Sequence, residues 1–406
     1  MRRLWHSPTL RSMVVYGASG VGFAGANLIL ARVLPTDQYA LFTLFTALAN
    51  LGASLAPAGI DGVVNRRLLE AGPALLARLL PPALLIGLVF AGIALVAYDM
   101  SFALAGLLFL TCTGGGLMMV AGAHFQSEHR FAVSLALGQS PNIVLLIAAL
   151  AALAGHTTRA LLPVLISTLG FMAAAGFGWT VLLGERHAKP PRASSFSWRE
   201  AFAFAGLSAS GLLLIQLERL VIPYVLPLAD LAVYGVLGAI AGSLFRVLQM
   251  GVGFSLLPRL RAADTVVERR RLIAREARLV GSIVVVGSGF IWFLTPVVER
   301  WFLAGKYHLA GSLVLAAIVS GIAKIANAFT KSTASALADT RELSLVNVFG
   351  WLSVGVALVA AYVGARWGLV GVIYGVGLGW FMRAAVAFAL IVRHLRLPVP
   401  VPATAP

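Results

Sequence analysis

Stretches free of Asp, Glu, Lys and Arg recur along the whole chain, at 12–31, 38–60, 79–98, 100–127, 131–158, 160–184, 201–217, 231–245, 279–298, 307–323, 343–365 and 367–382. Most come close to the ~20 residues that a helix needs to cross a hydrocarbon core of ~30 Å. A β-barrel would show short alternating segments in place of continuous apolar blocks. The pattern predicts an all-α polytopic membrane protein with about twelve transmembrane helices.

The polar breaks set the expected organisation. Between Tyr16 and Glu70 two uncharged runs flank a turn at Leu34-Pro35, which reads as a membrane hairpin. Pro57 and Gly59, near the end of the second run, are kink candidates. The third span is expected to start at Pro81-Pro82, since proline suits a first helical turn. Gly114-Gly115-Gly116 marks a bend or a close helix contact. The polar, Pro/Ser-rich segment 184–199 falls near the midpoint with six predicted spans on each side. This predicts two six-helix lobes, 1–183 and 200–396, joined by a cytoplasmic linker at 184–199 and followed by a disordered Pro-rich tail at 397–406. Leu34-Pro35, Asp37 and Tyr39 in the first half find loose counterparts in Leu226-Pro227, Asp230 and Tyr234, as a parallel repeat would leave. The charged stretch from Arg259 to Arg278 is expected to form a short helix lying at the inner surface.

Composition agrees with a lipid solvent. The chain has 406 residues, 60% of them hydrophobic and only 11% charged, against about 25% charged in soluble domains. Its net charge of +16 would suggest nucleic acid in a soluble protein. Placing the N-terminus inside puts 22 of the 31 Lys and Arg on inner segments and five on outer ones. The positive-inside rule therefore accounts for the charge, puts both termini in the cytoplasm and leaves no role for nucleic acid. The single Cys112 offers neither a disulfide framework nor a thiol metal site. The sequence has no GxxxxGK[ST] or HExxH motif, and no segment between spans has room for a soluble catalytic domain. No catalytic residue, metal site or cofactor is predicted.

Candidate chemistry lies with ionisable residues at membrane depth, each of which costs about 2.5–3.5 kcal/mol on insertion scales. These are Glu218 and Arg219 in span 7, Arg246 in span 8, Lys324 in span 10 and Arg383 in span 12. Four cations against one acid predict a cationic pocket for an anionic group such as a diphosphate, with arginine suited to bidentate phosphate contacts. The competing readings are structural. Lys324 could snorkel to the inner surface, Arg383 less easily, and Glu218 could pair with Arg246 across spans 7 and 8. Arg32, Asp37, Asp61, Asn65 and Arg66 sit at span ends, where capping and topology suffice to explain them. All seven histidines fall near predicted interfaces, which disfavours a histidine proton relay.

These features together bring a family into view. The residues concerned are the Gly-rich first helix, Leu30-Ala31-Arg32-Val33-Leu34-Pro35, Tyr39, Phe42, Gly59-Ile60-Asp61 and Arg66. The second half adds Leu217-Glu218-Arg219-Leu220, Leu226-Pro227, Tyr234-Gly235, Leu257-Pro258-Arg259-Leu260, and Trp301-Phe302 before Lys306-Tyr307. In these the chain resembles the polysaccharide-transport branch of the multidrug/oligosaccharidyl-lipid/polysaccharide exporter superfamily, which includes the Wzx-type O-antigen and exopolysaccharide flippases. Ala40 departs from the glycine usual in that family after the tyrosine. The resemblance implies two facing lobes around a cavity open alternately to each side. It also implies a cargo of undecaprenyl-diphosphate-linked oligosaccharide in a bacterial plasma membrane.

The expected function is a flippase carrying that lipid from the inner to the outer leaflet, with Arg219, Arg246, Lys324 and Arg383 binding the substrate. Glu218 and Asp61 are the candidates for ion coupling. The expected partners are the lipid-linked oligosaccharide, membrane lipids and a polysaccharide polymerase or glycosyltransferase. Two alternatives stand beside it. A cation-coupled multidrug exporter would favour acidic cavity residues, the opposite of the bias here. A membrane-embedded glycosyltransferase or polymerase would need larger outer loops.

Overall fold

The computed structural model describes residues 8–67, 69–185, 196–243, 245, 260, 263, 265–338 and 340–396. They form thirteen α-helices: α1 (Pro8–Val33), α2 (Thr36–Leu55), α3 (Ile60–Arg67), α4 (Pro73–Tyr98), α5 (Phe102–Ser127), α6 (Phe131–Ala154), α7 (Leu161–Glu185), α8 (Trp198–Val225), α9 (Leu228–Leu237), α10 (Val266–Val297), α11 (Gly311–Leu337), α12 (Thr340–Gly364) and α13 (Gly368–Arg396). Single π turns extend α9 at Gly238–Gly242 and α10 at Val298–Phe302. Helix is the form that satisfies every backbone N–H and C=O within its own segment, which apolar blocks this long require in lipid. Counting the bent pair α2 and α3 as one span, the helices follow the twelve predicted segments in order.

The break between α2 and α3 is the predicted kink. The two helices meet at 45°, and the backbone turns through left-handed conformations at Ala58 (φ 49°) and Gly59 (φ 81°). The three glycines of α5 make close contacts and no bend. A Cβ on Gly115 would stand 2.4 Å from the Cβ of Ala53 on α2, one on Gly116 2.6 Å from that of Ala56 just past the end of α2, and one on Gly114 would strike Met172 on α7.

Two expectations need correction. The third span starts at Pro73 and carries Pro81 and Pro82 inside it. A membrane helix tolerates this because packed neighbours re-satisfy the freed backbone groups. The charged stretch before span 9 is not a separate surface helix over its described residues. From Val266 it is continuous with the span as α10, started by the Thr265 hydroxyl, which accepts from the Glu268 amide. Charged residues do not break a helix, and 32 residues rise about 48 Å, so the arginine-rich turns project past the apolar layer. Most of the linker 184–199, residues 186–195, and the tail 397–406 lie outside the described residues.

The chain packs as two compact units, Met1–Ala239 with Phe302–Lys306, and Ile240–Trp301 with Tyr307–Pro406. In the first, α5 packs on α2, α4, α6 and α7, and the core holds Leu79, Val120, Phe125, Trp179 and Leu182. Cys112 of α5 is buried against Gly52 of α2. A neutral polar bridge joins α1 to α6: Ser19 Oγ donates to Gln139 Oε1 (2.5 Å) and Asn142 Nδ2 donates to Ser19 Oγ (2.6 Å). The short segment Phe302–Lys306 belongs here because the Arg32 guanidinium lies over the Phe302 ring (5.9 Å). The Lys306 ammonium also donates to the carbonyls of Ala31 (2.8 Å) and Leu34 at the C-terminal end of α1. In the second unit α13 lies between α11 and α12.

Candidate functional site

The chemistry of the second unit gathers where α11 meets α13. Ser320, Lys324, Asn327 and Lys331 follow one another at intervals of four, three and four residues, a spacing that puts them on one face of α11. A Cβ on Gly377 would touch Ser320 (3.9 Å), and further along Ala334 packs with Ala387 and Ile391. Trp380 and Arg383 of α13 therefore lie between two contacts that press these helices together.

Arg383 is only 4% exposed. Its Nε and Nη1 are sealed from solvent and find no hydrogen-bond partner among the described residues. The exposed Lys331 lies near enough for the two positive charges to repel each other. A buried guanidinium without an acceptor is costly in any solvent and more so in lipid. Burial rules out snorkelling for Arg383. Lys324, one turn away on the same face, is half-buried.

In the first unit Glu218 is fully buried on α8 and Arg219 beside it half-buried. Arg219 donates from Nη1 to Gln216 Oε1 (3.2 Å). Its Nη2 lies 3.4 Å from where a Cβ of Gly238 would be, at the start of the π turn after α9. Single π turns inside α-helices are frequent at functional sites. Arg246 lies outside the described residues, so the Glu218–Arg246 pairing does as well.

The two ends of α8 are both fastened. At one end Glu200 takes Arg67 Nε (2.6 Å) and Arg66 Nη1 (3.3 Å), the basic pair that ends α3. At the other, Tyr98 OH donates to the Leu220 carbonyl (3.0 Å) and Tyr224 OH to that of Ala97 (2.9 Å). Asp61 stands in the first turn of α3, where a carboxylate suits the helix dipole.

No protein-family model and no curated protein matches the sequence. Solved structures do match it in fold. An inward-facing multidrug resistance MATE-family transporter of the MOP superfamily superposes with a TM-score of 0.69 over 94% of this chain and 98% of that one, at 14% identity. The lipid II flippase MurJ, in an inward closed conformation, gives 0.67 over 95% and 89% at 10% identity. The Vibrio cholerae MATE transporter VcmN gives 0.52 over 96% and 98% at 13%. The fold is that of the MATE and MurJ transporters. At these identities the likeness is one of fold alone.

Set in the MATE/MurJ-type fold, the predicted residues divide between the units, with Asp61, Glu218 and Arg219 in the first and Lys324 and Arg383 in the second. Sequence reasoning missed Lys331, which counted as an inner-loop charge, and the neutral Ser320, Asn327, Trp380 and Gln216. The helical spacing of Ser320, Lys324, Asn327 and Lys331 was the signal that could have found the three of them on α11. It also missed Glu200 as the partner of Arg66 and Arg67.

Proposed function

We propose that this protein is a flippase of the polysaccharide-transport type. It carries an undecaprenyl-diphosphate-linked oligosaccharide, an O-antigen or exopolysaccharide unit, from the inner to the outer leaflet of a bacterial plasma membrane. The observation that carries the reading is Arg383, buried without an acceptor beside Lys331. A diphosphate offers that acceptor, and arginine holds it in two directions at once. The membrane potential helps the cargo outward, by about 2.3 kcal/mol per charge per 100 mV.

In this reading both termini are cytoplasmic, and the halves 1–183 and 200–396 are the lobes that alternate access. Arg219, Arg246 and Lys324 complete the anion's path, and Glu218 and Asp61 are the residues through which an ion would couple. A polymerase or glycosyltransferase takes up the flipped unit. The similarity in fold to a lipid II flippase supports a lipid-linked cargo.

The test is mass spectrometry of lipid-linked oligosaccharides, with a leaflet-specific label, in cells with and without the protein. Complete units accumulating on the inner leaflet in its absence support the proposal. Truncated units would make it a transferase. Unchanged units with raised drug sensitivity would make it a multidrug exporter and sink the cationic-site argument.

A further inference from the structure

The seam between α11 and α13 asks for more than an anion. Four side chains in it are at least nine-tenths buried: Ser320 (3% exposed), Asn327 (5%), Trp380 (2%) and Arg383 (4%). Each keeps a polar atom sealed and without a partner among the described residues, namely Ser320 Oγ, Asn327 Oδ1, Trp380 Nε1, and Arg383 Nε with Nη1. Two neighbouring threonines behave otherwise. Thr330 and Thr333 on α11 bond back to the carbonyls of Ala326 and Phe329 (2.8 Å each). In the first unit the indole of Trp179 donates to the Leu117 carbonyl (3.0 Å). Buried polar atoms are nearly always paired, so five exceptions from four side chains on two facing helices describe a ligand's hydrogen-bonding groups in negative.

The signs of those groups decide its class. Arg383 and Trp380 have N–H groups in search of acceptors, which phosphate oxygens supply. Asn327 Oδ1 only accepts, so it needs a donor, and an ionised diphosphate has none. Ser320 serves either way. Sugar hydroxyls donate and accept, and an indole beside them offers both an N–H and an apolar face. A phospholipid's phosphodiester, which carries no O–H, would leave Asn327 unanswered.

We infer that this seam holds the glycosyl-phosphate junction of the cargo, with phosphate on Arg383 and Lys331 and the first sugar on Asn327, Trp380 and Ser320. The inference rests on the flippase reading above and goes beyond it by assigning sugar recognition to neutral residues of α11 and α13.

The experiment compares two lipids on the purified full-length protein in detergent, by ligand-induced thermal shift. One is a short-chain polyprenyl diphosphate, the other the same lipid carrying a single N-acetylhexosamine. The sugar-bearing lipid is expected to bind about tenfold tighter, the scale of one or two net hydrogen bonds. Trp380→Phe and Asn327→Leu, each of which removes the polar atom concerned, should bring that ratio toward one, while Arg383→Gln weakens both lipids together. Ser320→Ala repeats the test if either variant melts far below the parent protein. Equal affinity of the parent for the two lipids, or a ratio untouched by the neutral substitutions, would overturn the inference and leave the flippase reading standing. Absence of binding by both lipids would overturn the two together.

Discussion

A Cβ on Gly59 would stand 1.8 Å from the carbonyl oxygen of Ala201, so the kink between α2 and α3 presses directly on the backbone of α8. Gly59 also holds φ at 81°, where other residues pay about 1–2 kcal/mol. Gly59→Ala should therefore cost several kcal/mol, the strain plus displacement of α8, and lower the melting temperature in detergent sharply. Gly92, inside α4 with no atom within 4 Å of its would-be Cβ, is the control. Gly92→Ala should hold or raise stability by up to about 1 kcal/mol.

Glu200 bridges two arginines, Arg66 and Arg67, and Glu200→Gln removes the one negative charge that they share. The arginine side chains are 70% and 42% exposed, so water screens the loss to about 1 kcal/mol or less. The melting temperature should fall slightly at low salt, and the difference from the parent should close as salt rises. A salt-independent loss would mean that the carboxylate acts by packing alone.

Lys306 sets a pH dependence. Burial lowers its ammonium below the ordinary lysine value of 10.5, with Asp37 opposing the shift. The folded protein then gives up this proton at a lower pH than the unfolded chain, so the group's contribution to stability rises with pH through the window just below 10.5. Lys306→Gln should flatten the plot of melting temperature against pH in that window, and Asp37→Asn should widen the window downward.

Arg383 separates function from stability. Replacing an unpaired buried charge with an apolar side chain of similar length relieves its desolvation, so Arg383→Met should raise stability by about 2 kcal/mol. The same change should abolish flipping in the leaflet-labelling assay. Destabilisation by Arg383→Met would show instead that the guanidinium holds the unit together.

The spans were legible because a bilayer imposes one demand, length without charge, which the order of residues displays openly. The kink at Pro57–Gly59 and the close contacts of Gly114 to Gly116 were legible for a similar reason, since glycine and proline mark backbone irregularity locally. The continuity of α10 was not, because a rise in charge along a helix resembles a boundary in a linear reading. Half of the candidate seam between α11 and α13 was hidden in another way. Arg383 and Lys324 announce themselves by charge, whereas Ser320, Asn327 and Trp380 are ordinary membrane-helix residues until burial shows that their polar atoms go unanswered. Lys331 was assigned to a loop because the span was ended just before its charge, about two helical turns short of Leu337.

Cys112 lies buried against Gly52, and it is the chain's single cysteine. A thiol so enclosed is shielded from water-soluble maleimides. The wild-type protein is therefore already a blank background for site-directed labelling, and one cysteine placed at an exposed position between spans, such as Trp367, becomes its sole reactive reporter. Topology mapping and distance measurements across the transport cycle can begin without first stripping the native sequence of thiols.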